Sequence, residues 1–271
     1  MKRIELCAAA LLMAAASAVA DGGPAPGVWS EDYEAATSEA RTNAMPALLY
    51  FTGRDWCPNC KRLARDVFDT AEWKAWAATN LYLVELDFPH DPGAQHPRRR
   101  AVNKAIADHF GVDAFPTLVL LGRDGREIAR PWVRPDAPPV FYERQIVVAL
   151  YEADEPALRA ALGDEAAAAY RAAKAAAADY ERGVEERRTR LNAESSRLRA
   201  ALVAAPDAAS REAAQAELNA RLTELVRDYR SFQEDGLEDA RRAVFLVEDL
   251  RDKLAGPAGN PFLLFGAPGD R

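Results

Sequence analysis

Residues 47–61 read ALLYFTGRDWCPNCK. The first six form a continuous apolar run of strand length, which is typical of a strand covered on both faces. Cys57 and Cys60 follow this run directly, and residues 61–68 continue as a helix. Cys57 is therefore expected at a helix N-terminus, where free N–H groups and the helix dipole favour a thiolate and lower its pKa.

The spacing of the two cysteines suits thiol–disulfide exchange. Cys60 lies one helical turn beyond Cys57 and further inside, so it can attack a mixed disulfide formed at Cys57. Pro58 fits the first turn of the helix, where the missing N–H of proline costs nothing. We therefore expect Cys57 to be the nucleophile and Cys60 to be the resolving thiol.

Other uses of a Cys-x-x-Cys pair fit this sequence less well. Covalent haem attachment requires a histidine where Lys61 stands. A zinc site usually has two further ligands at paired spacing; His90, His96 and His109 could supply nitrogens, but no second cysteine pair exists. A purely structural disulfide would close only a very short loop and add little stability. We expect neither a metal nor an organic cofactor.

The N-terminus has the pattern of a secretion signal. A positively charged start and an apolar run precede Ala18-Val19-Ala20, an A-x-A cleavage pattern, which predicts a signal peptide over residues 1–20. The run is shorter than the ~20 residues that cross a bilayer, so we expect no permanent anchor. Cys7 would leave with the signal, and one cysteine pair would remain in the mature chain. We expect an exported protein located in the periplasm, an oxidising compartment.

The composition excludes some classes of partner. The chain has 271 residues, a net charge of −7 and a pI near 5.2. This acidity argues against nucleic acid as the main partner, because phosphate binding requires a basic surface. No later segment is apolar for long enough to span a membrane. The basic stretch Arg98-Arg99-Arg100 is interpreted as a soluble loop, although it could also contact acidic lipid or substrate.

Composition shifts divide the chain after the signal into a Gly/Pro-rich linker (21–29), an α/β domain (30–153), a helical region (154–255) and a Gly/Pro-rich tail (256–271). Within the α/β domain, the expected helices are 30–43, opened by Ser30, a short one capped by Thr70, 101–110 and 139–151. The expected strands are 47–52, 81–88, 117–121 and 126–130, and residues 89–100 are expected to form a polar loop. This order predicts a mixed sheet with helices on both faces.

The helical region repeats its apolar residues at intervals of about seven, which predicts two or three long antiparallel helices. They would form a hairpin or small bundle, with an extended coiled-coil stalk as the alternative. Pro206-Asp207 is expected to end one helix and begin the next, and Asp235-Gly236 to separate a last helix. Arg187 and Glu194 stand at inward positions and interrupt the apolar spacing.

Two separated motifs give the chain a family resemblance. One is Phe51-Thr52-Gly53-Arg54-Asp55-Trp56-Cys57-Pro58-Asn59-Cys60, with the pattern FTG-x-DWC-xx-C, and the other is Phe110-Gly111-Val112-Asp113-Ala114-Phe115-Pro116-Thr117. In this order they resemble the thioredoxin superfamily, specifically its exported members, over residues 30–152. The resemblance implies a thioredoxin-like fold for these residues and says nothing about residues 154–271.

The resemblance also implies a place where substrate binds. Pro116 would follow a cis peptide bond and face the cysteine pair, and the Phe115 backbone would pair with an extended substrate strand. Trp56 would border the site as an apolar platform, with core packing as the alternative. These three residues are the candidate substrate-binding residues.

The residues around the cysteines set the expected redox behaviour. Pro58 and Asn59 between the cysteines, together with Lys61, are expected to tune the reduction potential to a value between the extremes of about −270 and −120 mV. Reducing thioredoxins carry a buried Asp on the strand before the motif, but here that strand presents Tyr50 and Phe51. The proton of Cys60 could therefore pass to water, to Lys61 or to a residue that the sequence does not identify.

These observations support two hypotheses. The first is an exported thiol–disulfide oxidoreductase that exchanges disulfides with protein dithiols and disulfides through Cys57 and Cys60, and is recycled by a redox-partner protein. The second is a non-catalytic thioredoxin-fold binding module, in which the helical region provides an interaction or self-association surface.

Overall fold

The computed structural model describes residues 23–134 and 136–255. The expected signal peptide over residues 1–20, with Cys7, and the expected tail over 256–271 lie outside the described residues. The described residues up to Ala153 form one compact unit, and those from Asp154 onward form a second.

A five-stranded sheet is the centre of the first unit. Its strands are β1 (Trp29–Ser30), β2 (Ala47–Thr52), β3 (Tyr82–Asp87), β4 (Thr117–Leu121) and β5 (Glu127–Ala129), in the spatial order β1-β3-β2-β4-β5. β1, β3 and β2 are parallel, whereas β4 and β5 run antiparallel to their neighbours. This confirms the predicted mixed sheet, in which β2 and β4 have the expected bounds.

Helices cover both faces of the sheet, as predicted. They are α1 (Tyr33–Thr42), α2 (Pro58–Leu63), α3 (Ala71–Asn80), α4 (Pro97–Phe110) and α5 (Pro139–Ala153), and a π-helical turn (Ala64–Phe68) continues α2. Side chains of α2, α3 and α5 pack on the face that carries Tyr50, where Cys57 and Cys60 also lie. Side chains of α1 and α4 pack on the opposite face, which carries Phe51.

The prediction that Ser30 opens the first helix is wrong. Ser30 pairs with Val84 of β3, so the chain is still extended there and the end of the expected linker contributes the edge strand β1. α1 begins at Tyr33, and Asp32 caps it by accepting a hydrogen bond from the Ala35 N–H at 3.0 Å. Ser30 and Asp32 are both residue types that cap helices. Because Ser30 pairs with β3, Asp32 is the cap.

The interpretation of Arg98-Arg99-Arg100 as part of a loop is also wrong, because α4 begins at Pro97. The imidazole of His96 caps this helix by accepting a hydrogen bond from the Arg98 N–H at 3.3 Å. Pro97 suits the first helical position, where no N–H is needed. The three arginines therefore occupy the first turn of α4.

The second unit consists of α6 (Glu155–Leu162), α7 (Asp164–Ala204) and α8 (Ala208–Ala255). α7 and α8 form an antiparallel hairpin, which confirms the predicted long helices. Asp207 caps α8 by accepting a hydrogen bond from the Ser210 N–H at 2.7 Å. The charged residues that interrupt the apolar spacing pair across the hairpin, since Arg187 lies 3.5 Å from Asp228 and Glu194 lies 3.8 Å from Arg221.

The expected break at Asp235-Gly236 does not occur, because α8 continues through it. A Cβ atom at Gly236 would lie 2.7 Å from Cδ2 of Tyr180 on α7. The Tyr180 ring stacks on Phe232 at 5.7 Å between centroids. Gly236 therefore makes room for an aromatic side chain and does not end the helix.

Candidate active site

Cys57 and Cys60 form a disulfide at the beginning of α2, with their Cα atoms 5.2 Å apart. Cys57 is the N-cap residue, and its Sγ accepts a hydrogen bond from the Cys60 N–H at 3.1 Å. Both side chains are buried in this state, at 4% and 1% exposure. In the reduced protein the same N–H group would stabilise a thiolate at position 57, because a helix N-terminus favours negative charge.

The residues predicted to tune the redox potential surround this helix start. Pro58 is at the first position of α2, and both Pro58 and Asn59 are exposed. The Lys61 ammonium donates a hydrogen bond to the Asp55 carbonyl oxygen at 2.6 Å. Its positive charge is thus held beside the loop that leads into Cys57.

Trp56 lies at the surface next to the cysteines, with 44% of the residue exposed. Its Nε1 donates a hydrogen bond to the Phe88 carbonyl oxygen at 2.8 Å, which fixes the indole. Gly53 permits this position, because a Cβ atom there would lie 2.3 Å from the indole Cε2. The structure therefore presents Trp56 as an exposed apolar surface and not as a core residue.

The second motif lies beside Trp56. The Phe115–Pro116 peptide bond is cis, as the resemblance implies. The Phe115 ring meets Trp56 edge-on at 5.9 Å and lies 4.9 Å from the Phe88 ring. Phe115 thus contacts Trp56 and packs against the buried cluster that contains Cys57 and Cys60.

Behind Cys60 lies a polar network that the sequence did not predict. Tyr50 donates a hydrogen bond to the Cys60 carbonyl oxygen and accepts one from the Thr52 hydroxyl, both at 3.0 Å. Burial raises the pKa of the Tyr50 phenol to about 12. Next to it, Glu85 of β3 forms an ion pair with Arg54, whose Nε lies 3.0 Å from Oε1, and this pairing raises the pKa of Arg54.

The three histidines have local roles in the structure. The His90 N–H donates a hydrogen bond to the Asp55 carboxylate at 3.1 Å, His96 caps α4, and the His109 ring contacts Phe110. Among residues 23–134 and 136–255, no three His, Cys, Asp or Glu side chains are grouped so that they could hold a metal ion. Within the same ranges, no helix has the length and apolar character that crossing a membrane requires.

Comparison with known proteins places this site in a family. Residues 33–132 match the model of a thioredoxin-like domain. These residues belong to the thioredoxin superfamily. The matched residues include both motifs, with the cysteine pair and the cis proline. The match ends before the helical region.

Two curated relatives come from Chlamydia pneumoniae. The disulfide bond reductase DsbH is 32% identical over 108 residues, which cover 39% of this chain and 63% of that protein. The thioredoxin-related protein DsbJ is 28% identical over 104 residues, which cover 38% of this chain and 29% of that protein. The chain thus spans less than two thirds of the length of either relative.

A solved structure of a DsbH oxidoreductase is also similar to this chain. It is 29% identical, with a TM-score of 0.42, and the match covers 47% of this chain and 87% of that one.

Proposed function

We propose that this protein is an exported thiol–disulfide oxidoreductase that acts on the disulfides of other proteins through Cys57 and Cys60. The observation that carries the proposal is the Cys57–Cys60 disulfide at the start of α2, with the Cys60 N–H directed at the Cys57 sulfur. A thiol in that position is ionised more readily than a free cysteine and attacks disulfides as the thiolate.

In the first step, the Cys57 thiolate of the reduced protein attacks one sulfur of a substrate disulfide. A Cys57–substrate disulfide forms, the substrate S–S bond breaks, and the other substrate sulfur leaves as a thiolate that takes up a proton. Trp56 precedes Cys57 in the chain and its ring contacts Phe115, which is joined to Pro116 by the cis bond. These three residues would hold the substrate chain during this step.

In the second step, Cys60 loses its proton and attacks the Cys57 sulfur. The Cys57–Cys60 bond forms, the bond to the substrate breaks, and the substrate leaves with two thiols. The substrate is reduced by two electrons and the protein is oxidised to the disulfide seen in the structure. A redox-partner protein must then reduce Cys57–Cys60 again.

We assign the reducing direction to this chain. One relative is named a disulfide bond reductase, and the pair Pro58-Asn59 differs from the Pro-His sequence of strongly oxidising enzymes. The reduction potential of Cys57–Cys60 against glutathione tests the direction, and we expect a value below about −200 mV. A value near −120 mV would assign the oxidising direction to the same pair.

Trapping of substrates tests the proposal as a whole. In the variant Cys60→Ser, the second step is blocked, so we expect mixed disulfides between Cys57 and exported proteins that dithiothreitol releases. The matched control, Cys57→Ser with Cys60→Ser, should trap none. The same experiment tests export, because an exported chain should be purified without residues 1–20. Absence of adducts, together with no reduction of insulin by the wild type, would reject the oxidoreductase function.

The second unit supports a second role, association of the protein with itself. Near the end of α8, Leu237, Val244 and Phe245 are exposed, with Phe245 at 75%. Exposed apolar residues grouped on one helix favour an interaction surface. Sedimentation should show a dimer that Phe245→Gln weakens and that the control Asp239→Asn, on another face of α8, leaves unchanged. A monomer at all concentrations would reject this role.

A further inference from the structure

Cys60 is buried, at 1% exposure, so the proton that it loses in the second step does not pass directly to bulk solvent. Cys60 lines a cavity of about 440 Å³ beside α2 and the sheet. A cavity of this size has room for several water molecules. The group that exchanges a proton with Cys60 is therefore expected among the side chains that line it.

The lining residues leave few candidates. The Tyr50 phenol, whose pKa is raised to about 12, stays protonated near neutral pH and cannot accept a proton. Arg54, Lys61 and Arg65 are cations. The two carboxylates that line the cavity are Asp69 and Glu85.

Burial separates these two carboxylates. The Asp69 side chain is 68% exposed and faces Lys74 at 3.7 Å. The Glu85 side chain is only 12% exposed. Glu85 is paired in register with Tyr50, and paired residues of neighbouring strands project on the same face of the sheet. That face is the one that carries Cys57 and Cys60.

Arg54 holds the Glu85 carboxylate in place. The backbone N–H of Arg54 donates a hydrogen bond to the Asp87 carboxylate at 2.9 Å. The guanidinium of Arg54 pairs with both carboxylate oxygens of Glu85. The ion pair fixes the Glu85 carboxylate at the cavity that Cys60 also lines.

We propose that Glu85 is the proton acceptor for Cys60, with Arg54 as its positioning residue. As Cys60 attacks the Cys57 sulfur, its proton passes through water in the cavity to the Glu85 carboxylate. When the Cys57–Cys60 disulfide is reduced again, protonated Glu85 returns the proton to the Cys60 thiolate. This inference rests on the proposed function, because it assigns one step of that reaction.

Ellman's reagent separates the two steps in the reduced protein. Attack by Cys57 releases one nitrothiophenolate, and attack by Cys60 on the resulting mixed disulfide releases the second. For Glu85→Gln we expect the second release to be slowed about 100-fold near pH 7. The difference should shrink as the pH rises, because hydroxide then removes the proton without the carboxylate. The matched control, Asp69→Asn, removes a carboxylate from the same cavity and should leave both releases unchanged.

The pH profile distinguishes a proton acceptor from a merely structural residue. The charged or titratable groups around Glu85 are Arg54, Asp87, Tyr50, Lys61, Arg65 and Asp69. Glu85→Asp keeps a carboxylate and should restore part of the second release. If Glu85→Gln does not fold, the second release of Glu85→Asp is compared with that of the wild type, and we expect a shifted profile.

Two failures of this experiment have different meanings. Equal second releases at every pH in the wild type and the Glu85 variants would overturn the role of Glu85 and leave the oxidoreductase function standing. Absence of either release in the wild type would overturn the proposed function itself.

Discussion

The Tyr50 hydroxyl donates a hydrogen bond to the backbone carbonyl of Cys60, which ties the centre of the sheet to the resolving cysteine. The Thr52 hydroxyl in turn donates to the Tyr50 oxygen, so the three residues form one buried chain of hydrogen bonds. Removal of one member leaves a buried polar group without its partner.

Tyr50→Phe is therefore expected to destabilise the thioredoxin-like domain by about 1 to 2 kcal/mol. The five tryptophans lie between residues 29 and 132, so tryptophan fluorescence during urea unfolding reports on this domain. Because Tyr50→Phe also leaves the Thr52 hydroxyl without an acceptor, adding Thr52→Val should recover part of the loss. Additive losses in the double variant would show that the two hydroxyl groups act independently.

Gly53→Ala is expected to displace Trp56, since the new Cβ would occupy the position of the indole. The indole would lose its hydrogen bond to Phe88, and kcat/KM for a peptide disulfide should fall about 3-fold to 10-fold, as for the loss of one oriented contact. In a Trp56→Ala background, the same substitution should have no further effect. A further loss there would mean that Gly53 acts through the backbone of the motif.

Glu143 makes the stability of the first unit depend on pH. Burial raises the pKa of this carboxyl to about 7, with repulsion from Glu72 as a second cause. The unfolded chain ionises near the ordinary value of 4.5, so the folded state holds more protons between about pH 4.5 and 7 and stability falls as pH rises through this window.

Glu143→Gln removes that loss. At about pH 8 it should stabilise the domain by about 1 to 3 kcal/mol, and below about pH 4.5 it should have little effect. Glu72→Gln should change stability in the same direction but by less. The free energy of unfolding is measured at each pH by tryptophan fluorescence in urea. The same dependence on pH in the wild type and in Glu143→Gln would contradict the raised pKa of Glu143.

Gly236→Ala separates helix propensity from packing in the hairpin. Alanine favours a helix over glycine by about 1 kcal/mol, but here its Cβ would lie 2.7 Å from the Tyr180 ring. We expect the substitution to destabilise the hairpin in the wild type and to stabilise it in a Tyr180→Ala background. Urea unfolding followed by far-UV circular dichroism measures both effects, and stabilisation in both backgrounds would show that Gly236 is not needed for packing.

The sequence predicted those parts of the fold that local pattern determines. The strands Ala47–Thr52 and Thr117–Leu121 are almost entirely apolar because both of their faces are covered. Their first and last residues could therefore be predicted from the sequence. The two-residue strand at Trp29 could not be predicted, since its position depends on pairing with β3. Gly236 has the composition of a helix end, and only the Tyr180 ring on the neighbouring helix shows why glycine stands there.

The same distinction applies to the candidate site. Cys57, Cys60 and Pro116 belong to motifs that are local in sequence, and Phe115, next to Pro116, packs against the cluster that contains both cysteines. Glu85 was not predicted, because a single acid in an alternating strand is ordinary and only its register with Tyr50 places it behind Cys60. The one available signal was a carboxylate on the same side of the strand as apolar Leu83.

The register of the helical hairpin restricts how its length can change. The paired residues of α7 and α8 move away from the turn by the same number of positions on each helix, from Glu194 with Arg221 to Arg187 with Asp228. An insertion in one helix alone would shift every later residue past its partner. The hairpin can therefore lengthen or shorten during evolution only by equal changes on the two sides of its turn.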